Sequence, residues 1–378
     1  LILVWVASQL AAVTEPGTFE QQLAAKIETQ RGSAPDKQAP SVPPLGIDLD
    51  PTLSEALGLR EGVDDSDVEL LAVLMPQLRE ALYLETGVRF PPLFVRAGVA
   101  GLAPGEFVVR VNDVPVLRER VSPDSCIALV SPAEVRRYGV EARPAKNPLG
   151  GATAALVPAH DKAVLEASGL TTWSAAGAIA LFIATQLRLR APQFLGLTEV
   201  NEIVNRMESA YPALVRETVP KAVSLTQLAA VLRILVEERV SIRDMKSIFE
   251  ALATHGSPDV SPDDLAERVR QSLSTQLAFA HAGLEASVPV VLLDWTIEDT
   301  LFGSDGSFTI EPEVARSIVD AIRDAIRPVV AAGIRPALVT SASIRRRVFE
   351  LIRHELRPVT VLSFEELPPD AIIQPLGR

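Results

Sequence analysis

The feature that most constrains this chain is a long, almost wholly helical stretch, residues 198–256, standing between two regions of short β-type runs. Helix starts inside it are marked by Thr198, by Ser224 with Gln227, and by Ser241 with Asp244, the last two at capping-box spacing. Pro212 and Pro220 divide the run. Helices segregated between stretches of strand predict an α+β protein of several subdomains.

Upstream, residues 64–87 carry a helical stripe at Val68, Leu71, Leu74, Leu78 and Leu82, stopped by Gly87. Strands are expected at 93–97, 106–111 and 126–130, separated by Gly-, Pro- and Asn/Asp-containing turns. A turn-rich stretch, 144–152, leads to a strand at 154–157 and a helix over 174–189, so the chain can re-enter its first α/β piece and leave 115–150 as an insert. Downstream, a helix is expected from Ser261 to near Gly283, with His281 in its last turn, where a partly charged imidazole suits the helix dipole. No second ligand or acid lies at helical spacing from His281, which reads as structural. The last segment places strands at 288–293, 337–340 and 360–363 between helices at 312–326 and 344–356, a small α/β unit with a partly parallel sheet. Interdomain hinges are expected in the loops 101–105 and 256–261.

Residues 1–13 (LILVWVASQLAAV) are nearly all apolar and uncharged, but fewer than the roughly twenty that a helix needs to cross a bilayer. They read as the end of a membrane-spanning helix, with a buried helix or an apolar remnant as the alternatives. No basic region precedes them as in a signal peptide. Residues 14–45 are rich in Gln, Ala, Ser, Gly and Pro and read as a linker, with one short helix at 19–30.

Across its 378 residues the chain holds 36 Lys+Arg against 48 Asp+Glu, a net charge of -12, which argues against a nucleic-acid or anionic-membrane binder. A single cysteine and four scattered histidines leave no Cys/His zinc pattern and no internal disulfide. Cys126, in an apolar run with no nearby histidine, reads as core. No phosphate-cradling glycine loop, dinucleotide fingerprint or serine-hydrolase elbow occurs, and no cofactor is expected. Asp48-Leu49-Asp50-Pro51-Thr52 has the D-x-D-x-T spacing of the nucleophile loop of haloacid-dehalogenase-like phosphohydrolases, which makes an enzyme using Asp48 and Asp50 the alternative reading. The preceding SVPPLGI holds two prolines that a central strand would not tolerate, so the platform such a loop needs is not expected. Asp294 and Thr340 stand at strand ends, where they read as caps for the helices that follow. The run Arg345-Arg346-Arg347 reads as the solvated face of an amphipathic helix.

Residues 191–253 carry the most specific pattern. Its elements are Phe194-Leu195-Gly196, Tyr211-Pro212 with Leu214, Val215, Glu217 and Pro220, and Glu237 with Val240-Ser241-Ile242-Arg243-Asp244, Ile248, Glu250 and Leu252. Weaker echoes run through Pro91-Pro92, Asn147-Pro148, Leu265 with Val269-Arg270, and Leu362-Ser363-Phe364-Glu365-Glu366-Leu367. The pattern resembles the cytoplasmic domain of the type III secretion export-gate family, the SctV, LcrD and InvA proteins of injectisomes and their flagellar relative FlhA. The resemblance implies no catalytic residues. It implies a membrane segment ending at 1–13, a linker over 14–45, an interrupted α/β first subdomain (46–114 and 151–190), an inserted, mainly β second (115–150), an all-helical third (191–256), and a connecting helix with a small α/β fourth (257–378).

It also implies a nine-membered ring on the cytosolic side of the bacterial inner membrane. The implied partners are chaperone-bound export substrates, stalk and ATPase-complex proteins, and a gatekeeper. The matching docking positions are Asn147, Leu149, Gly150 and Leu181. Candidate ring contacts are Arg206, Glu217, Glu238, Arg239, Arg243 and Asp244, and Phe19 and Ile27 are candidate anchors for the linker on a neighbouring subunit. The flagellar D-P-x-F-G motif is replaced here by Asn147-Pro148-Leu149-Gly150-Gly151, and the flagellar T-H pair by Leu181-Phe182. Both changes favour an injectisome over a flagellum.

Overall fold

The chain enters its first sheet directly from Pro43-Pro44. In the computed structural model, which describes residues 42–59, 68–282, 287–302, 310–356 and 359–377, β1 (Leu45–Leu49) is buried along its whole length. The expectation that the prolines forbid a central strand is corrected: they end before the ladder begins, so no ladder N–H is lost. Helix α1 (Pro51–Ala56) follows, capped by the Asp50 carboxylate, which accepts from Thr52 N at 2.9 Å and Leu53 N at 3.2 Å. A wide turn at Leu70–Leu74 runs into α2 (Met75–Thr86). That helix stops at Gly87 (φ 79°), where a Cβ would come within 2.6 Å of Arg243 N. Glycine is required there twice over, for the left-handed cap and for the close approach to the helical region.

Strands β2 (Phe94–Arg96), β3 (Glu106–Val111) and β4 (Val114–Arg120) complete a sheet of order β2-β1-β3-β4. β1 is parallel to β2 and antiparallel to β3. β4 lies inside the expected insert, yet it pairs antiparallel with β3. The reason is the two-residue turn Asn112-Asp113, both residues at positive φ (51° and 62°), the hairpin connection that matches strand twist.

The second sheet holds β5 (Ser125–Ala128), β6 (Arg143–Ala145), β7 (Ala154–Pro158) and β8 (Thr172–Trp173), in the order β6-β7-β5-β8 and antiparallel throughout. With α3 (Pro132–Arg136) and α4 (Lys162–Ala167) it closes over a small core of Ala128, Val135, Val140, Ala142, Ala155, Val157 and Leu165. This sheet spans 125–173; the expected insert boundary at 115 falls within the β3–β4 ladder, and the one at 150 in the turn between β6 and β7. Strand β7 sits here because Ala155 and Val157 fill this core. Helix α5 (Ala175–Arg190), capped by Ser174, is buried over most of its length. Its Phe182 packs on Phe107 of the first sheet, ring centroids 5.8 Å apart.

The helical region comprises α6 (Leu197–Ala210), α7 (Pro212–Thr218), α8 (Leu225–Glu237) and α9 (Met245–His255). Ser224 and Gln227 form a reciprocal capping box. The second expected box is not formed: Asp244 itself caps α9, accepting from Ser247 N at 3.1 Å, and the Ser241 hydroxyl is buried without a hydrogen-bond partner. The single helix expected over 261–283 is two, α10 (Pro262–Ser272) and α11 (Ser274–Ala282), joined at buried Leu273.

The third sheet is wholly parallel. It comprises β9 (Ser287–Leu292), β10 (Ala337–Thr340), β11 (Thr360–Ser363) and β12 (Ile372–Gly377), in the order β11-β10-β9-β12. Helices α12 (Trp295–Phe302), α13 (Pro312–Ala331) and α14 (Ala342–Ile352) accompany it. Residues facing one side, Val288, Val290, Ala337, Val339 and Leu362, join the large core shared with the helical region, and Val291, Leu338 and Val361 join a second core with α13 and α14. The described residues from Leu45 onward form one compact unit.

Candidate docking surfaces

The D-x-D pair is spoken for. Asp48 is buried between two arginines, with Oδ1 2.6 Å from Arg96 Nε and Oδ2 2.6 Å from Arg110 Nε. Asp50 caps α1. Both carboxylates therefore have structural employment, and among the described residues no group of three or more His, Cys, Asp or Glu could hold a metal ion. Thr340 and the Ser341 N–H both donate to Glu298, at 2.6 and 3.0 Å, while Asp294 accepts from Thr296. Cys126 is buried, and burial pushes its thiol above the usual range. His281 differs from the expected dipole partner. Burial first, then the Arg270 charge, lower its pKa against the pull of Glu366, which favours the neutral imidazole.

The turn that carries three of the positions matched to a docking surface is tied to α5, the helix that carries the fourth. The turn after β6 is anchored by Thr185 Oγ1, which donates to Pro148 O at 2.8 Å and is itself one turn from Leu181. Asn147 Oδ1 accepts from Leu149 N at 3.0 Å, closing an Asx turn that leaves Leu149 48% exposed beside exposed Gly150. Asn147, Leu149 and Gly150 thus stand on a turn held by Thr185, one helical turn from half-buried Leu181.

Beside them lies a cleft of about 690 Å³ between the first and second sheets. Ile127, Leu156, Ala175, Ala178 and Phe182 give it an apolar floor, and Arg118, Arg120 and Lys146 line its mouth. Arg118 holds buried Glu106 through Nε at 2.8 Å and Nη2 at 2.9 Å, and Ala103 N also donates to that carboxylate. The Arg118 hydrogen bond, then the Ala103 one, bring the Glu106 pKa down to about 2. These residues were not singled out from sequence. Their signal was the Arg118-Glu119-Arg120 run, which acquires meaning only once the Asn112-Asp113 hairpin places it on a strand edge.

Of the candidate ring contacts, Arg206, Glu217, Arg239 and Arg243 are exposed on the helical region. Arg243 donates to Leu84 O at 3.2 Å, and Glu217 pairs with Lys221. Asp244 is a half-buried cap that also accepts from Gln276 at 3.0 Å. Glu238 is corrected: it is 3% exposed and faces inward. Its carboxylate meets Arg270 at 2.9 Å, Arg345 at 2.8 Å and Arg346 at 2.5 Å. Glu366 holds Arg270 from the other side at 2.5 Å, and Glu267 holds Arg345 at 2.9 Å. Burial alone would raise the Glu238 pKa, but the Arg270 and Arg345 charges outweigh it and hold it below the usual range.

The arginine run is corrected with it. Arg345 is fully buried, and Arg347 donates to Leu301 O at 2.8 Å. The residues that bury and neutralise Arg345 come from α10, the end of α8 and the turn after β11, which helical periodicity within α14 does not register. Phe19 and Ile27 lie outside the described residues, as do residues 1–13. Among the described residues no helix is long and apolar enough to cross a membrane.

The motif residues turn out to be largely packing residues. Phe194 meets Phe90 edge-on at 5.3 Å, and Leu195, Val215, Val240 and Ile242 are buried. Comparison with known proteins agrees with that pattern. The family model described as the FHIPEP family matches residues 1–372. The chain is 31% identical over 341 residues to the low calcium response locus protein D of Yersinia pestis, covering 89% of this chain and 47% of the relative. It is 33% identical over 364 residues to the hypersensitivity response secretion protein HrcV of Ralstonia nicotianae, covering 93% and 50%. It thus spans about half the length of these curated relatives.

Among solved structures, the Chlamydia pneumoniae CdsV protein matches with a TM-score of 0.80 and 28% identity over 90% of this chain and 99% of that one. CdsV in complex with CdsO matches with the same score and identity over 91% and 99%. The nonameric SctV-C of EPEC shares the fold, with a TM-score of 0.70 and 20% identity over 90% and 99%. The chain belongs to the FHIPEP family.

Proposed function

We propose that this domain forms a nonameric ring beneath the export channel of an injectisome and receives chaperone-bound substrates on the surface made by Asn147, Leu149, Gly150 and Leu181. The observation that carries the docking site is Leu149: a large apolar side chain presented to solvent on a turn fixed to α5 through Pro148 and Thr185. An exposed apolar group on a preorganised turn is the kind of anchor a partner protein covers. The ring is supported by the fold shared with nonameric SctV-C, and contact with a stalk protein by the CdsV complex with CdsO.

Arg206, Glu217, Arg239 and Arg243 supply charges for a repeated head-to-tail contact. Phe19 and Ile27 anchor the linker on the neighbouring subunit. ATPase-complex and gatekeeper proteins are further partners, and the segment preceding the domain joins it to the inner membrane. Asp48 and Asp50, engaged as described above, give the phosphohydrolase alternative no support.

The test is a titration of the purified chain with an export chaperone bound to its substrate. Leu149→Asp is expected to weaken binding at least about tenfold, which is ~1.4 kcal/mol, with an unchanged circular dichroism spectrum. Unchanged affinity would remove the docking assignment. Sedimentation at rising concentration, with Arg206→Glu and Arg243→Glu as disrupting variants, reads the ring separately.

A further inference from the structure

The first sheet gives one face to the core and carries arginines on the other. Leu45, Ile47, Leu49, Phe107 and Val109 point into the large core, so the residues that alternate with them point the other way. The ladder sets these outward residues in rows across the strands. Phe94, Gly46 and Arg110 stand side by side, then Arg96, Asp48, Val108 and Arg118, then Glu106 with Arg120. On the two central strands Gly46, Asp48, Val108 and Glu106 are buried, and the arginines beside them reach solvent.

Two buried carboxylates each hold a pair of these arginines. Asp48 takes Arg96 Nε and Arg110 Nε, both at 2.6 Å. Glu106 takes Arg118 Nε at 2.8 Å, and Arg120 Nε lies 3.8 Å away. Every one of the four therefore turns Nε towards the sheet, which leaves the terminal Nη nitrogens for other partners. Some are already in use: Arg118 Nη2 meets Glu106 at 2.9 Å, and Arg110 Nη1 donates to Asp113 O at 3.0 Å. One exposed acid, Asp113, lies 3.9 Å from Arg96 Nη2. The Arg118 and Arg120 side chains are 62% and 66% exposed. With its pKa near 2, Glu106 stays ionised over the working range and keeps its anchor. At the edge of the array, on the end strand β2, the Phe94 ring is 53% exposed.

We propose that this face of the first sheet rests on an anionic lipid surface, with Arg96, Arg110, Arg118 and Arg120 on headgroup phosphates and Phe94 at the acyl boundary. The inference rests on the reading that the segment before the domain joins it to a membrane. Guanidinium groups fixed at one edge present the other to phosphate oxygens, and an anionic bilayer attracts each arginine brought within a Debye length of it. Three features favour a lipid surface over a soluble phosphate. The array extends over four strands of one sheet face. It carries an exposed aromatic ring, which a phosphate alone has no use for and an acyl boundary does. The sheet also begins at Leu45, directly after the linker read at 14–45, and a tether gives a contact that is weak in free solution a high effective concentration. The net charge of -12 repels the rest of the domain from the same surface, so it selects this face as the one that approaches. Phe94, Arg96 and Arg110 line neither the cleft nor the Leu149 turn.

The experiment is sedimentation of the full chain with vesicles of phosphatidylcholine, alone or mixed with phosphatidylglycerol. The uncharged segment 1–13 draws the chain to both vesicles alike, so retention on phosphatidylcholine tests the membrane segment and the difference between the two tests the face. At low salt the mixed vesicles are expected to bind at least about tenfold more tightly, and the difference should vanish at high salt. Arg120→Glu should remove about tenfold of that preference, and Phe94→Ser should remove a smaller part. Arg137→Glu, an exposed charge on the second sheet's side, and Leu149→Asp should leave it unchanged, which also separates the result from chaperone docking. All four replaced side chains are exposed, and an unchanged urea midpoint verifies that each variant folds. Calorimetry with glycerol phosphate in place of vesicles should show no binding. Equal retention on both vesicles, a preference that persists in Arg120→Glu, a loss as large in Arg137→Glu, or glycerol phosphate binding that Arg120→Glu removes would each overturn the proposal.

Discussion

Two junctions in this molecule are built from arginine and glutamate and do opposite things. Where the helical region meets the third sheet, Arg270 and Arg345 are fully buried among Glu238, Glu366 and Glu267, with Arg346 at the edge. Where the first sheet meets the second, Arg118, Arg120 and Lys146 face an open cleft, and only Glu106 beneath them is buried. A buried charge has no water to fall back on, so each member of the first set depends on its partners and the two regions are held in one arrangement. At the cleft, solvent stands in for any partner that leaves, so the same side chains remain available to an incoming group. Burial, rather than residue type, decides whether such an ion pair is locked in place or left exchanging with solvent.

The largest expected break of that contrast is Glu238→Ala. It leaves Arg270, Arg345 and Arg346 without their shared carboxylate in a buried site, and it is expected to cost about 3–5 kcal/mol, read as a lowered midpoint in urea denaturation. Next is Asp48→Asn, which removes the charge between Arg96 and Arg110. A loss of about 1–3 kcal/mol is expected from the same measurement. A phosphatase assay should show no activity before or after the change.

Acidification sharpens the contrast from the other side. Glu106, lowered from an ordinary value of 4.5 to about 2, contributes stability that is fully present above pH 4.5 and is lost as pH falls towards 2. Glu238 is lowered as well and adds a loss of the same sign. The urea midpoint should therefore fall through that window, and Glu106→Gln should flatten part of the fall. The smallest effect belongs to Arg120→Ala, whose exposed, loosely engaged guanidinium should change stability by less than about 0.5 kcal/mol while removing a cation from the cleft mouth.

Local chemistry explains which elements were legible in the sequence. Gly87 ended a helix as expected because a left-handed cap is a property of a few adjacent residues. Ser224 and Gln227 formed their capping box for the same reason. The hairpin at Asn112-Asp113 carried an equally local signal that went unread, and with it the edge on which Arg118 and Arg120 stand. The short strands β6 and β8 have little pattern of their own and exist because a neighbour pairs with them. Glu238 and Arg345 were both read as surface charges, since each stands among polar neighbours in sequence. Their partners come from distant parts of the chain.

By itself, the sequence determined the order of α/β, helical and α/β regions, the caps and stops of the main helices, and membership in the family, because these depend on side-chain type at close spacing. Only the tertiary structure decided which strands share a sheet, which charges are buried, and that a cationic cleft opens beside the Leu149 turn. Pairing and burial are properties of what arrives from elsewhere in the chain, and a carboxylate that accepts one arginine in water and three in the interior is the same residue in both places.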